Sequence, residues 1–256
     1  MAAAAPRQPV ARFQRPRRVS DVSQFRFNAI IYGRPGAGKT TCAATAPGPI
    51  LFADCDQGLL ALQNPDPTLI KELGINLDDL FFEPIKSFAD MVNLIQKVGN
   101  ECKADPNWWG TVVVDNLTEL QRVLMNDILK QADRVLPQLQ DWNLILMQMQ
   151  AIVRQLRNLP IHTIFLAHER STENGIGPAL SGRIEEELPG YVDTMARYTM
   201  LEKPDPQNKD VVKVIRKLRL RPQLGAVEVN AKCRSSRLGD WEEPHITKLI
   251  QKCLKP

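Results

Sequence analysis

The sequence predicts an α/β protein, with a mainly parallel central sheet flanked by helices and a C-terminal antiparallel β meander. Three observations carry this. Short apolar, β-rich runs alternate with stretches of helical spacing from about residue 25 to residue 167, the order that builds parallel sheets. A glycine-rich loop separates the first such run from the first helical stretch. Beyond Gly190 the helical stretches give way to strand-like segments joined by turn residues.

Taken in order, Phe25 to Tyr32 is an apolar run that stops at the glycine loop, and Lys39 to Ala46 has helix-forming composition. A second strand, Ile50 to Ala53, follows Pro47-Gly48-Pro49 and ends at Asp54-Cys55-Asp56-Gln57-Gly58. Phe88, Met91, Val92 and Ile95 have the spacing of a helix over 88–99, and Thr111 to Val114 is a continuous apolar strand of the kind buried on both faces of a parallel sheet. Two helices are expected next, over about 117–136 and 142–159. Ile145, Leu146, Met149, Ile152, Val153 and Leu156 share one face of the second, where Met147 and Met149 read as core filler. The strand Thr163 to Ala167 then ends at His168-Glu169-Arg170. Ser171 to Gly190, rich in Gly, Pro, Ser and Glu, reads as a long loop. Residues 192–202, 211–221 and 226–231 read as strands, with a turn at 203–208, and a terminal helix is expected near Ile246 to Cys253.

Composition excludes several classes. Of 256 residues 43% are hydrophobic and 24% charged, so the chain is not wholly disordered. No apolar run approaches the ~20 residues that cross a bilayer, and the N-terminus lacks the apolar centre of a secretory signal, so the expected location is the cytoplasm. Cys42, Cys55, Cys102, Cys233 and Cys253 are scattered and form no CxxC pair; they read as reduced thiols rather than a disulfide framework or zinc site. Residues 1–22 carry Arg7, Arg12, Arg15, Arg17 and Arg18 among Pro6, Pro9 and Pro16, which reads as a flexible arm ahead of one domain over 23–256. The arm is either a solubilising tail or a nucleic-acid-binding segment.

The chemistry begins at Gly33-Arg34-Pro35-Gly36-Ala37-Gly38-Lys39-Thr40, which fits G-x-x-x-x-G-K-[ST] between a strand and a helix. Glycines let backbone N–H groups converge on phosphates at a helix N-terminus, where the helix dipole also favours an anion. Lys39 is placed to neutralise the β and γ phosphates of ATP, and the Thr40 hydroxyl to ligate Mg²⁺; Thr41 completes the phosphate-loop set. A glycine turn without ligand is the competing reading. Thr111-Val112-Val113-Val114-Asp115 delivers a carboxylate to the edge of the sheet where open α/β sheets bind ligands, so Asp115 is the second metal candidate, or alternatively a helix cap. Many ATPases place a water-activating Glu directly after this Asp, whereas here the residue is Asn116. The base must then come from elsewhere, and Asp54 and Asp56 are the candidates, against a plain turn role ahead of Gly58.

These residues resemble the RecA-type recombinase core, specifically the small phage RecA-like ATPases grouped with the Sak-type single-strand annealing proteins. The resemblance runs from about Phe27 to the C-terminus. It rests on the ordered set G-R-P-G-A-G-K-T-T, L-F-A-D-C-D-Q-G, T-V-V-V-D-N-L-T-E-L, T-I-F-L-A-H-E-R, G-P-A-L-S-G-R and N-A-K-C-R. It implies a RecA-like P-loop NTPase core in a protein of phage origin. It puts the catalytic carboxylate, usually Glu, at Asp56, one methylene shorter. His168 resembles the residue that senses the γ phosphate, Ser171 to Gly190 the DNA-binding loop, and Lys232 and Arg234 the cations that complete a neighbouring subunit's ATP site. Alternative readings are a polar strand end for His168 and a solvated strand end for Lys232 and Arg234. His162 and His245 lack such a context and read as surface residues. The partners implied are single-stranded DNA, further copies of the chain in a ring or filament, and a separate single-stranded-DNA-binding protein, with no membrane.

Between Lys209 and Arg237 nine basic residues face two acids, Asp210 and Glu228. Alternation puts Lys213, Lys217, Arg219 and Arg221 on one strand face, which suits a phosphate backbone or the protection of a sheet edge. The expected function is therefore an ATP-hydrolysing, single-stranded-DNA-binding protein of recombinase or annealing type. The alternative is a nucleotide-dependent loader or switch acting on a protein such as a helicase or packaging component. A small-molecule kinase is a weaker third reading, disfavoured by the lack of an arginine-rich lid.

Overall fold

The computed structural model describes residues 26–254 except 174, 205–211, 224, 226 and 227. The expected arm over 1–22 and most of the turn over 203–208 lie outside the described residues.

In chain order the elements are β1 (Asn28–Gly33), α1 (Lys39–Ala43), β2 (Ile50–Asp54), α2 (Leu60–Gln63), α3 (Pro67–Leu73), β3 (Leu80–Pro84), α4 (Phe88–Ala104), β4 (Thr111–Asp115), α5 (Leu117–Gln131) and α6 (Leu139–Arg157). They continue as β5 (His162–Thr172), β6 (Gly175–Pro178), α7 (Arg183–Tyr191), β7 (Thr194–Pro204), β8 (Val212–Arg219), β9 (Lys232–Cys233), β10 (Trp241–Glu242) and α8 (Ile246–Leu254). Among the described residues the sheet runs β10-β8-β7-β1-β5-β4-β2-β3, with β6 on β5 and β9 on β7. Strands β7, β1, β5, β4, β2 and β3 are mutually parallel, while β8 is antiparallel to β7 and β10 to β8. This is the expected α/β class with its antiparallel C-terminal strands.

Alternation along the buried strands feeds two cores. Ile30, Tyr32, Val112, Val114 and Phe165 point to the face covered by α4, α5, α6 and α7, whose Met91, Leu120, Met149 and Leu188 meet them. Ala29, Ile31, Val113, Ile164 and Leu166 point to the other face, covered by α1 and α8 through Cys42, Ile246 and Leu249. Both faces are dry, which is why these strands read as continuous apolar runs. The helices start where the sequence offers caps: Ser87 Oγ accepts from Asp90 N–H at 3.1 Å before α4, and Asn116 Oδ1 accepts from Glu119 N–H at 3.0 Å before α5. The cap of α5 is therefore Asn116, and Asp115 is left for other work.

Several expectations need correcting. Ser171 to Gly190 is not a loop, because β5 extends to Thr172 and pairs antiparallel with β6, and α7 follows. Gly175 makes the hairpin possible: its φ is +115°, and a Cβ there would sit 2.6 Å from the Glu228 carbonyl oxygen. Helix α7 buries Ile184 and Leu188, four residues apart, in a stretch whose charge disguises the pattern. The segment 226–231 forms no strand among its described residues; β9 is only Lys232–Cys233. Met149 is core, but Met147 is 66% exposed on the outer side of α6. His162 is half-buried at the base of the sheet, where its Nδ1 accepts from Phe27 N–H at 2.9 Å, and His245 is half-buried as well.

Candidate nucleotide site

Strands β1, β5, β4 and β2 end side by side, and their registers decide what meets at the edge. Gly33 pairs with His168, and Asp54 with Asp115. A cleft of about 650 Å³ opens there, lined by the phosphate loop, Asp56, Asp115, Asn116 and His168 among others.

The loop between β1 and α1 has the shape that its glycines permit. Gly36 and Gly38 have φ of +71° and +104°, and nothing lies within 4 Å of where a Gly36 Cβ would be, so the cradle is open at that point. Gly33 is needed for a different reason: a Cβ there would lie 2.7 Å from the Tyr198 carbonyl oxygen of β7. Arg34 pairs with Glu169 (Nε to Oε1, 3.1 Å), and Arg197 holds the other oxygen of Glu169 at 3.1 Å, tying the loop to β5 and β7. Pro35, Gly36, Gly38, Thr40 and Thr41 all line the cleft, and Ala37 is buried beneath it.

Lys39 is 7% exposed, and its Nζ donates to the carbonyls of Gly33 at 3.1 Å and Arg34 at 3.0 Å. Burial lowers its pKa, and Asp115, Asp56 and Glu169 push the other way. The Thr40 hydroxyl donates to Asp115 Oδ2 at 2.7 Å. Burial raises the Asp115 carboxyl to about 6, opposed by the Thr40 hydrogen bond and by Lys39 and reinforced by Asp56 and Asp54. An anion buried in this way gains from a cation beside it, so hydroxyl and carboxylate together suit Mg²⁺. Among the described residues no group of three or more His, Cys, Asp or Glu forms a metal cage.

The two base candidates separate clearly. Asp56 is exposed to the cleft, where its Oδ2 accepts from Asn116 Nδ2 at 2.6 Å and its Oδ1 from Gly58 N–H at 2.8 Å. Asp54 is 6% exposed beneath it, with Oδ1 unpartnered among the described residues and its pKa raised chiefly by burial. His168 reaches the cleft from β5. Its backbone N–H donates to Thr118 Oγ1 at 3.1 Å, its Nδ1 is buried without a hydrogen-bond partner among the described residues, and burial followed by Lys39 lowers its pKa.

Lys232 and Arg234 lie elsewhere. They flank the start of β7, the end remote from the phosphate loop. Lys232 Nζ donates to the carbonyls of Pro189 (2.6 Å) and Val192 (2.9 Å), and Arg234 pairs with Asp193 at 2.9 Å. Within one subunit neither belongs to this cleft.

Sequence reasoning missed Arg216 and Tyr198. Arg216 sits on the face of β8 opposite to Lys213 and Lys217, and its Nε donates to the Ala37 carbonyl at 3.3 Å, while Tyr198 Oη lies 3.2 Å from where a Gly38 Cβ would be. Alternation along β8 was the available signal for Arg216. Asn116 was noted only for the Glu it replaces, and nothing in sequence joins it to Asp56, 60 residues away.

A Gly-Lys-Thr loop between strand and helix, with an Asp at the end of a nearby parallel strand, defines the class of P-loop ATPases built on a mainly parallel α/β sheet. The chain belongs to the family described as AAA domain, whose model matches residues 26–222. Among solved structures it is similar to a KaiC-like protein from the hyperthermophilic archaeon Pyrococcus horikoshii OT3, with 15% identity over 75% of this chain and 77% of that chain and a TM-score of 0.43. No curated protein matches it. No helix among the described residues is long and apolar enough to cross a membrane.

Proposed function

We propose that the protein is an ATP-hydrolysing, single-stranded-DNA-binding protein of recombinase or annealing type that acts as an oligomer on DNA with Mg²⁺. The observation that supports it most is Asp56, whose carboxylate is held by Asn116 and Gly58 in the same cleft as Lys39, Thr40 and Asp115. Thr40 and Asp115 are the residues that would hold Mg²⁺, which would neutralise charge on the phosphate oxygens. Lys39 exchanges the carbonyls of Gly33 and Arg34 for the β and γ phosphates. Asp56 accepts a proton from the attacking water, and with both carboxylate oxygens already anchored it pays little reorganisation to do so. His168 reads the γ phosphate from the end of β5.

Support for the DNA-binding part is geometric. The β5–β6 and β7–β8 hairpins both continue beyond Gly33 at the phosphate-loop edge, and β8 carries Lys213, Arg216 and Lys217 on its described surface. Arg219 and Arg221 contribute less than alternation suggested. Arg219 lies over the Trp241 ring, 4.9 Å from its centroid, and Arg221 donates to the carbonyls of Cys233 and Ser235 at 2.7 and 2.9 Å. Lys232 and Arg234, remote from their own cleft, fit a role in a neighbour's. The second reading, a switch acting on a protein partner, draws support from Val135, Leu136 and Leu139, which are 89%, 77% and 81% exposed in one run.

ATP turnover of the full chain with and without single-stranded DNA tests the proposal, with Lys39→Ala as reference. Hydrolysis stimulated severalfold by DNA and lost in Lys39→Ala is expected. DNA-independent turnover together with no DNA binding by fluorescence anisotropy favours the switch.

A further inference from the structure

Strand β3 is the last of its path in the sheet: β2 lies on one side of it, and no described strand lies on the other. Ladder geometry fixes which backbone groups face outward. The Ile85 N–H donates to the Asp54 carbonyl at 2.8 Å, and Asp54 pairs with Pro84 in the parallel register, so the polar groups of Phe81 and Glu83 turn to β2. Those of Leu80, Phe82 and Pro84 turn away from it, Pro84 offering a carbonyl alone. The side chains are open too, Phe81 being 47% and Phe82 60% exposed. Phe81 leans on Trp109 with ring centroids 5.4 Å apart, while Phe82 lies on the opposite face with Leu80. Exposed edges are usually blunted by lysine or a bulge. Here no lysine stands in Leu80–Pro84, the register with β2 is unbroken, and the one charge, Glu83, is taken by Lys97 at 2.9 Å.

We propose that this edge pairs with the same edge of a second copy of the chain, antiparallel and about a two-fold axis at Phe82, joining two sheets into one. The strand is self-complementary in that register. Phe82 meets Phe82 of the second copy, and the two exchange both backbone hydrogen bonds through groups that β2 does not use. Leu80 falls opposite Pro84, where the Leu80 N–H meets the carbonyl that proline keeps, so the missing donor leaves just the Leu80 carbonyl without a partner. The Phe82 rings then lie side by side on one face and cover each other. Charge agrees with this direction. The turn Leu77–Asp79 precedes the strand and Lys86 follows it, so antiparallel pairing sets the exposed Asp78 of each copy beside the exposed Lys86 of the other. Parallel pairing would instead set like charges together. A two-fold contact of this kind closes at two copies. None of these residues lines the nucleotide cleft, so the contact stands apart from the ATPase reading.

Sedimentation equilibrium of the full chain, without nucleotide or DNA, tests this. The wild type should form a dimer as its concentration rises. Phe82→Pro removes an outward N–H that the β2 ladder does not need, so circular dichroism should stay unchanged while the dimer dissociation constant rises at least about tenfold. Asp78→Lys and Lys86→Asp should each raise it by about threefold or more, and the two together should return it towards wild type. That recovery also decides the matter if Phe82→Pro fails to fold. A monomeric wild type, association unchanged by a folded Phe82→Pro, or a double charge variant no better associated than either single one overturns the pairing. Association that survives Phe82→Pro and is lost on removing residues 1–22 overturns it in favour of the arm as the occupant.

Discussion

Asn116 joins two structures through one side chain. Its Oδ1 accepts from Glu119 N–H and caps α5, while its Nδ2 donates to Asp56 Oδ2 across the strand ends. The position after Asp115, where many ATPases carry a Glu, is thus an amide that holds the carboxylate of Asp56, two residues past the end of β2. Asn116→Ala removes both contacts, so it should cost about 1 kcal/mol of stability through the lost cap and lower ATP turnover at least about tenfold as Asp56 loses its anchor. Asn116→Asp keeps a good cap yet sets a second carboxylate against Asp56. Its melting temperature should stay near wild type while turnover falls. Equal turnover in Asn116→Asp and wild type would show that Asp56 does not depend on this contact. At this scale the sequence was informative where a motif joins neighbours, as in Lys39 and Thr40. It named Asp56 and Asn116 but was silent on the contact between them, which exists only because β2 and β4 pair in register.

Strand β8 divides its basic residues by direction. Arg216 turns to the phosphate loop, Lys213 and Lys217 occupy the opposite face, Arg219 lies over Trp241, and Arg221, two residues past the strand, donates to backbone carbonyls. Replacing Lys213 and Lys217 with Ala should weaken single-stranded-DNA binding and flatten its salt dependence, since fewer counterions are released per complex. Arg221→Ala should act differently, destabilising the fold by about 1–3 kcal/mol because buried carbonyls lose their donor. A salt slope unchanged by the double substitution would return β8 to an edge protected by charge. Elements with strong periodicity, α4, α5, α6 and the buried strands, were legible to within a few residues at most ends. The β5–β6 hairpin and α7 were not, because glycine, proline and charge dominate their composition, while their stability comes from contacts with distant segments such as Glu228.

For the whole molecule, the order β7-β1-β5-β4-β2 is what gathers Gly33, His168, Asp115 and Asp54 at one edge, and alternating strands and helices in sequence announce that class of sheet without its order. The same topology leaves Lys232 and Arg234 at the far end. If they complete a neighbour's site, Arg234→Ala should lower turnover while leaving ATP affinity of the isolated chain intact, its exposed pair with Asp193 contributing about 1 kcal/mol or less to stability. Mixing Arg234→Ala with Lys39→Ala subunits should then recover activity, because one supplies the intact phosphate loop and the other the cation. Mixtures no more active than their components would confine Arg234 to its bond with Asp193. The central claim, that Asp56 is the base of a Mg²⁺-dependent ATPase, is met most directly by steady-state ATP hydrolysis of Asp56→Asn beside its Mg²⁺–ATP affinity. The account predicts affinity within about twofold of wild type and turnover reduced by roughly 10²–10⁴. Wild-type turnover in Asp56→Asn, with Asp54→Asn inactive, would contradict it and move the base to the buried carboxylate beneath.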